Sequence, residues 1–175
     1  IPRIDFSDDA NGALLLEPSR SNLFPYSEDF SQSNWLKTNS TITSGFVSPK
    51  GDNNAYEINM VSSTANLYEN ISVSAETDYT LSFYAKKGTA TDVSYRILNV
   101  NNVSDIIPET SYYSQLSSDW IRIEVSFTIP VGCNTINVFL VRSSTNFGTV
   151  LIFGAQLEQG SYATSYIPTQ GTALG

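Results

Sequence analysis

The chain has 175 residues, 41% of them hydrophobic and only 15% charged, with a formal net charge of −8. That length fits one domain with a real core. The acidic balance disfavours a nucleic-acid partner, because phosphate binding rests on cationic side chains, and no run of about 18 apolar residues offers a membrane-spanning helix. Histidine is absent and Cys133 is the only cysteine, which excludes an internal disulfide, a His-based nucleophile pair and a Cys/His zinc site.

In chain order, residues 1–20 read as a polar N-terminal arm with a short apolar strand in Ala13-Leu-Leu-Leu16. Residues 21–160 read as a β-sandwich. Strands are expected at 55–60, 67–73, 79–86, 93–100, 120–129, 135–142 and 149–157, separated by turn signals such as Pro49-Lys-Gly-Asp-Asn53, Lys87-Gly-Thr-Ala90 and Pro130-Val-Gly132. Two of them alternate with period 2. Ile121, Ile123, Val125, Phe127 and Ile129 oppose Arg122, Glu124, Ser126 and Thr128, and Tyr79, Leu81, Phe83 and Ala85 oppose Thr80, Ser82, Tyr84 and Lys86. No helical stripe interrupts them. The expected fold is all-β: a single-domain antiparallel β-sandwich of about eight strands, of the jelly-roll or Greek-key type. Residues 161–175 read as an extended C-terminal tail, packed on the sandwich or leading to a next domain. Gly160 releases it, and Tyr162 and Tyr166 are expected to anchor it.

Four segments carry a resemblance to a known family. They are Asn22-Leu-Phe-Pro-Tyr-Ser-Glu-Asp-Phe30 with Trp35, Tyr79-Thr-Leu-Ser-Phe-Tyr-Ala-Lys-Lys-Gly88, Trp120-Ile-Arg-Ile-Glu-Val-Ser-Phe-Thr-Ile-Pro130 and Phe153-Gly-Ala-Gln-Leu-Glu158. In this order they resemble the jelly-roll carbohydrate-binding modules of secreted polysaccharide-degrading enzymes. The outer frame is similar to domains of bacteriophage tail-fibre proteins: Pro2-Arg-Ile-Asp5 and Leu14-Leu-Leu-Glu-Pro-Ser-Arg-Ser-Asn-Leu23 at one end, Gly154 to Thr169 at the other.

The resemblance implies a non-catalytic, extracellular module of a longer polypeptide with neighbouring domains, whose partner is a polysaccharide or cell-surface glycan. Its alternative is a structural, receptor-binding or assembly domain of a tail fibre or bacterial surface adhesin, as a homo-oligomer. Many relatives hold a structural calcium through a carboxylate after the first motif and an aspartate in the last strand. Here those places carry Ser31 and Ala155-Gln156. The expectation is therefore no cofactor, with Glu28, Asp29, Asp52 and Glu158 as the oxygen ligands that a calcium would have to use.

A sugar presents an apolar C–H face and a polar rim, so candidate contacts are outward aromatics beside polar or cationic groups. Tyr84 is the first, with Lys86 on the same strand face. Phe139, between Val138 and Leu140, either shares that face or plugs the second sheet. Arg96 and Arg122 are expected outward, as clamps for a carboxylate or sulfate or in cross-strand ion pairs with an acid such as Glu124. Residues 107–116 read as a loop too long for a hairpin turn, in which one of Tyr112 and Tyr113 packs and the other meets ligand. Trp35 and Trp120 read as caps on the core, and Cys133 as a small apolar turn residue. An enzyme lacking histidine would need a carboxylate pair. The spacing of Glu57, Glu69, Asp105, Glu109 and Glu124 singles out none, so no catalytic activity is expected.

Overall fold

The strands in chain order are β1 (Arg3–Asp5), β2 (Ala13–Leu15), β3 (Leu36–Thr38), β4 (Ser40–Phe46), β5 (Ala55–Met60), β6 (Ala65–Ser72), β7 (Asp78–Lys87), β8 (Ser94–Asn99), β9 (Ser104–Ser111), β10 (Ile121–Thr128), β11 (Thr135–Ser143) and β12 (Gly148–Gln159). In this computed structural model the described residues are 3–5, 13–15, 18–143 and 147–171, the first two segments by their backbone alone.

The period-2 segments become β7 and β10, which pair antiparallel with Arg122 opposite Tyr84 and Val125 opposite Leu81. They belong to a five-stranded sheet of order β10-β7-β12-β5-β4, which we call the tail sheet, and it faces a second five-stranded sheet of order β3-β6-β11-β8-β9, the open sheet. Except at β4–β5 and β8–β9, each strand from β3 onward is followed by one in the opposite sheet. The architecture is an antiparallel jelly-roll sandwich. Between the sheets lie Ile58, Leu81, Phe83, Ile123 and Ile152 from one side and Leu67, Ile97, Ile136, Val138 and Leu140 from the other, all buried. Each such side chain contributes about 1.5–3 kcal/mol by leaving water. Trp35 closes one end, its ring 4.8 Å from Phe24 and 4.9 Å from Phe30. Trp120 is half-buried and donates through Nε1 to the Val47 carbonyl.

Four strands were not expected from the sequence: β1, β3, β4 and β9. β4 reads Ser-Thr-Ile-Thr-Ser-Gly-Phe and is mostly exposed, because it is an edge strand that buries little. β3 is only three residues long. β9 takes up much of the expected 107–116 loop and contains Pro108, a residue tolerated at a sheet edge because no neighbouring strand requires its missing N–H. A 3-10 turn, Tyr113–Gln115, follows it.

The segment's tyrosines therefore take fixed places. Tyr112 is 0% exposed, donates its hydroxyl to the Leu140 carbonyl at 3.0 Å and packs edge-on against Phe83. It is a core residue, which corrects its candidacy as a ligand contact. Tyr113, in the 3-10 turn, is partly buried against the core, with Lys87 Nζ 5.1 Å from its ring centroid.

Two β-bulges shape the faces. The register of β11 shifts between Phe139 and Val141, so Leu140 and Val141 both enter the core while Phe139 and Arg142 stay outside it. In β12 the register shifts between Phe153 and Gln156 at Gly154, whose φ of +60° favours glycine. β1 and β2 pair with each other, Arg3 opposite Leu15. Leu16 and the side chains of residues 1–17 lie outside the described residues, as does any seating of the tail against them.

Candidate functional site

The two outer faces differ. On the tail sheet, residues 160–171 run back across β10, β7 and β12. Thr80 donates through Oγ1 to the Gly160 carbonyl at 2.8 Å, Ser126 through Oγ to Ser161 at 3.0 Å, and Arg122 through Nη2 to Thr164 at 2.8 Å. Two fully buried side chains of β12 hold the tail backbone: Gln156 Oε1 accepts from Ile167 N, and Glu158 accepts from Thr164 N and Oγ1, each at 2.7 Å. Thr80 and Ser82, outward by alternation, are buried for this reason.

Tyr166 is the anchor. Its ring packs against Tyr84 and Phe153, and its hydroxyl donates to Ser27 Oγ at 2.7 Å. Tyr162 is 53% exposed among the described residues, with the Arg20 guanidinium 5.2 Å from its ring centroid. Among the described residues, Tyr166 is the tyrosine that holds the tail on the sheet.

The open sheet has no such cover among the described residues. Leu36 of β3, Tyr68 of β6, Phe139 of β11 and Arg96 of β8 form one row across it by register. Tyr68 and Phe139 stack at 4.6 Å and 24°. Arg96 and Arg142 hold their guanidiniums 5.9 and 5.6 Å from the Phe139 centroid. The ring is thereby walled in to 5% exposure although it faces out, while Leu36 is 42% exposed. Each arginine is oriented by an acid of β9: Arg96 Nε donates to Asp105 and Arg142 Nε to Glu109, both at 2.6 Å, and Arg142 Nη1 donates to Asn66 Oδ1 at 2.9 Å. Asn70 donates to Asn137 one row away. The result is an aromatic and aliphatic strip framed by amides and two arginine–carboxylate pairs, a surface that can meet the face and hydroxyl rim of a sugar together.

The four carboxylates named for calcium are engaged by the protein's own donors. Lys50 Nζ sits 2.8 Å from Glu28 and 3.6 Å from Asp52, so an ammonium already stands between them. Asp29 accepts from Ser31, Gln32 and Tyr56. Burial alone would raise its pKa, but these donors outweigh it and hold the group at about 2. Glu158 is spent on Gln156 and Thr164. As they stand, these groups fit protein donors and not a calcium ion, which needs six to eight free oxygens at short range.

Comparison with solved structures finds this fold in carbohydrate-binding modules and in a phage tailspike. A family 22 carbohydrate-binding module of Clostridium thermocellum Xyn10B superposes with a TM-score of 0.57 at 11% identity, over 82% of this chain and 96% of that one. The fold is that of carbohydrate-binding modules. A CBM61 module solved with β-1,4-galactotriose agrees at 0.53 and 13% identity, over 79% of this chain and 99% of the other. A tailspike protein of bacteriophage CBA120, in its enzymatically active domain, gives 0.58 and 19% over 79% of this chain, which spans only 21% of that structure. Neither the known family profiles nor the curated proteins contain a match to the sequence.

On this module fold the residues expected to bind ligand divide between the faces. Arg96 and Phe139 lie on the open sheet. Tyr84, Lys86 and Arg122 lie on the tail sheet, where Arg122 stands 5.8 Å over the Tyr84 ring and donates to Ser82 Oγ. Sequence reasoning missed Tyr68, Arg142 and Asn66. Tyr68 was findable, since it alternates with Leu67 and Glu69 on the outward parity of β6. Arg142 was not, because the bulge before it reverses parity.

Proposed function

We propose that the chain is a non-catalytic carbohydrate-binding module that holds a polysaccharide or cell-surface glycan across the outer face of the open sheet. The observation that carries this reading is the Tyr68–Phe139 stack framed by Arg96, Arg142 and Asn66 on a face free of the tail. Tyr68 and Leu36 take the apolar face of the sugar, and the amides and arginines take its hydroxyls. Structural neighbours support it: besides the galactotriose-bound module, one is described as a xylan-binding domain from Paenibacillus barcinonensis Xyn10C. Asp105 and Glu109, the acids on this face, are each tied to an arginine, which favours binding over acid–base chemistry.

Affinity electrophoresis against a panel of neutral polysaccharides tests the reading. At least one should retard the protein, and Tyr68→Ala should weaken that retardation about tenfold or more with an unchanged melting temperature. Retardation that survives Tyr68→Ala would overturn it.

We also propose that the module works extracellularly and without a metal. Its melting temperature should not change in EDTA, and a drop that calcium restores would show the opposite. The tailspike likeness favours a second reading, an assembly or receptor-binding domain of a tail fibre or surface adhesin. A stable trimer in light scattering would support that reading.

A further inference from the structure

The tail helps to form a cleft on the sheet opposite the open one. Tyr84 of β7, Arg122 of β10, Lys50 from the turn after β4, and Ser165, Tyr166 and Pro168 of the tail line a cleft of about 450 Å³. This lies within the range of about 300–1,000 Å³ usual for small-ligand sites. Its walls are aromatic: Tyr84 and Tyr166 stand at 88° to one another with centroids 6.2 Å apart, and Phe153 underlies both. The charged residues of the lining, Lys50 and Arg122, are both cationic. Lys50 is paired with Glu28 at 2.8 Å and Asp52 at 3.6 Å and Arg122 with Glu124 at 3.6 Å, and none of these acids lines the cleft.

Arg122 carries the decisive feature. Its Nη2 is used by Ser82 and Thr164, but its Nε is buried and has no hydrogen-bond acceptor. The nearest carboxylate oxygen, on Glu124, lies 3.6 Å away, close enough for an ion pair and too far for a hydrogen bond. A buried donor left unpaired is costly, and an anionic oxygen entering the cleft would satisfy it.

We propose that this cleft is a separate site for a sugar residue bearing a carboxylate, of the uronate class. The carboxylate bridges Lys50 Nζ and Arg122 Nε, and the ring rests against Tyr84, Tyr166 and Pro168. The net charge of −8 does not forbid this, since repulsion from distant acids is screened beyond about 8 Å at physiological ionic strength. The site lies on the other sheet from the neutral-glycan face and does not depend on that reading.

The test is an NMR titration of the whole chain with D-glucuronate and, separately, with D-glucose at 0.15 M salt. Glucuronate should shift the ring signals of Tyr84 and Tyr166 and the Arg122 Nε–H, and glucose should not. Lys50→Gln removes a half-exposed ammonium and should weaken glucuronate binding about tenfold. Glu124→Gln removes the competing carboxylate and should tighten it, while Tyr68→Ala should leave it unchanged. Equal responses to the two sugars, no response to glucuronate, indifference to Lys50→Gln, weakening by Glu124→Gln or loss in Tyr68→Ala would each overturn the proposal.

Discussion

Asn22→Ala is expected to lower the unfolding free energy by about 4 kcal/mol. Asn22 is completely buried and its amide serves backbone groups from three segments. Nδ2 donates to the carbonyls of Ala155 and Ile167, both at 2.9 Å, and Oδ1 accepts from the backbone N–H of Phe24 and of Leu157. One side chain thus joins the segment before β3, the last strand and the tail. Alanine would leave four main-chain groups without partners where water has no easy access, and each costs about 1–3 kcal/mol before relaxation. Urea denaturation checks this through the transition midpoint at constant slope. A loss below about 1 kcal/mol would mean that the tail is not held as described.

Glu69→Gln is expected to act in the other direction, and only above mildly acidic pH. Glu69 lies on the inward parity of β6 between Leu67 and Ile71, opposite Val138, and its Oε2 has no partner. Burial raises its pKa from 4.5 to about 7, and a hydrogen bond with Asn34 offsets this only in part. Below the ordinary value both folded and unfolded chains hold the proton, and the group has no effect. Between 4.5 and about 7 the unfolded chain releases its proton while the folded chain keeps it, so stability falls as pH rises; above that window the loss stays constant at about 3 kcal/mol. Glutamine does not ionise. The variant should match the parent near pH 4 and exceed it by about 2 kcal/mol at pH 8, allowing for one imperfectly paired amide. Parallel stability curves for the two proteins from pH 4 to 8 would contradict this placement of Glu69.

Much of the fold was legible because period 2 is a direct consequence of strand geometry. Where a segment kept strict alternation, as in β7 and β10, the inward Tyr79, Leu81, Phe83, Ala85, Ile123 and Phe127 are buried in the core. Legibility failed where geometry breaks the period or where tertiary cover changes what outward means. The β11 bulge sends Val141 into the core and leaves Arg142 beside Phe139, and no local pattern announces it. Thr80, Ser82, Tyr84 and Arg122 alternate as outward residues, yet the tail roofs them, because a contact between residues 80 and 160 leaves no trace in sequence periodicity. Alternation could not assign the core to one of Tyr112 and Tyr113: the structure buries Tyr112 fully and packs Tyr113 partly buried against the same core. Edge strands such as β4 and β9 escaped notice for a related reason: they bury too little to need an apolar stripe.

The central claim is that the open sheet, and not the tail sheet, carries the neutral-glycan site. A chemical-shift map of the isotopically labelled chain, titrated with oligosaccharides from whichever neutral polysaccharide retards it, tests this most directly. Perturbations should cluster on Leu36, Asn66, Tyr68, Arg96, Phe139 and Arg142, with Tyr84 and Tyr166 silent. Perturbations confined to Tyr84, Arg122 and the tail, with the Tyr68–Phe139 strip unmoved, would contradict it.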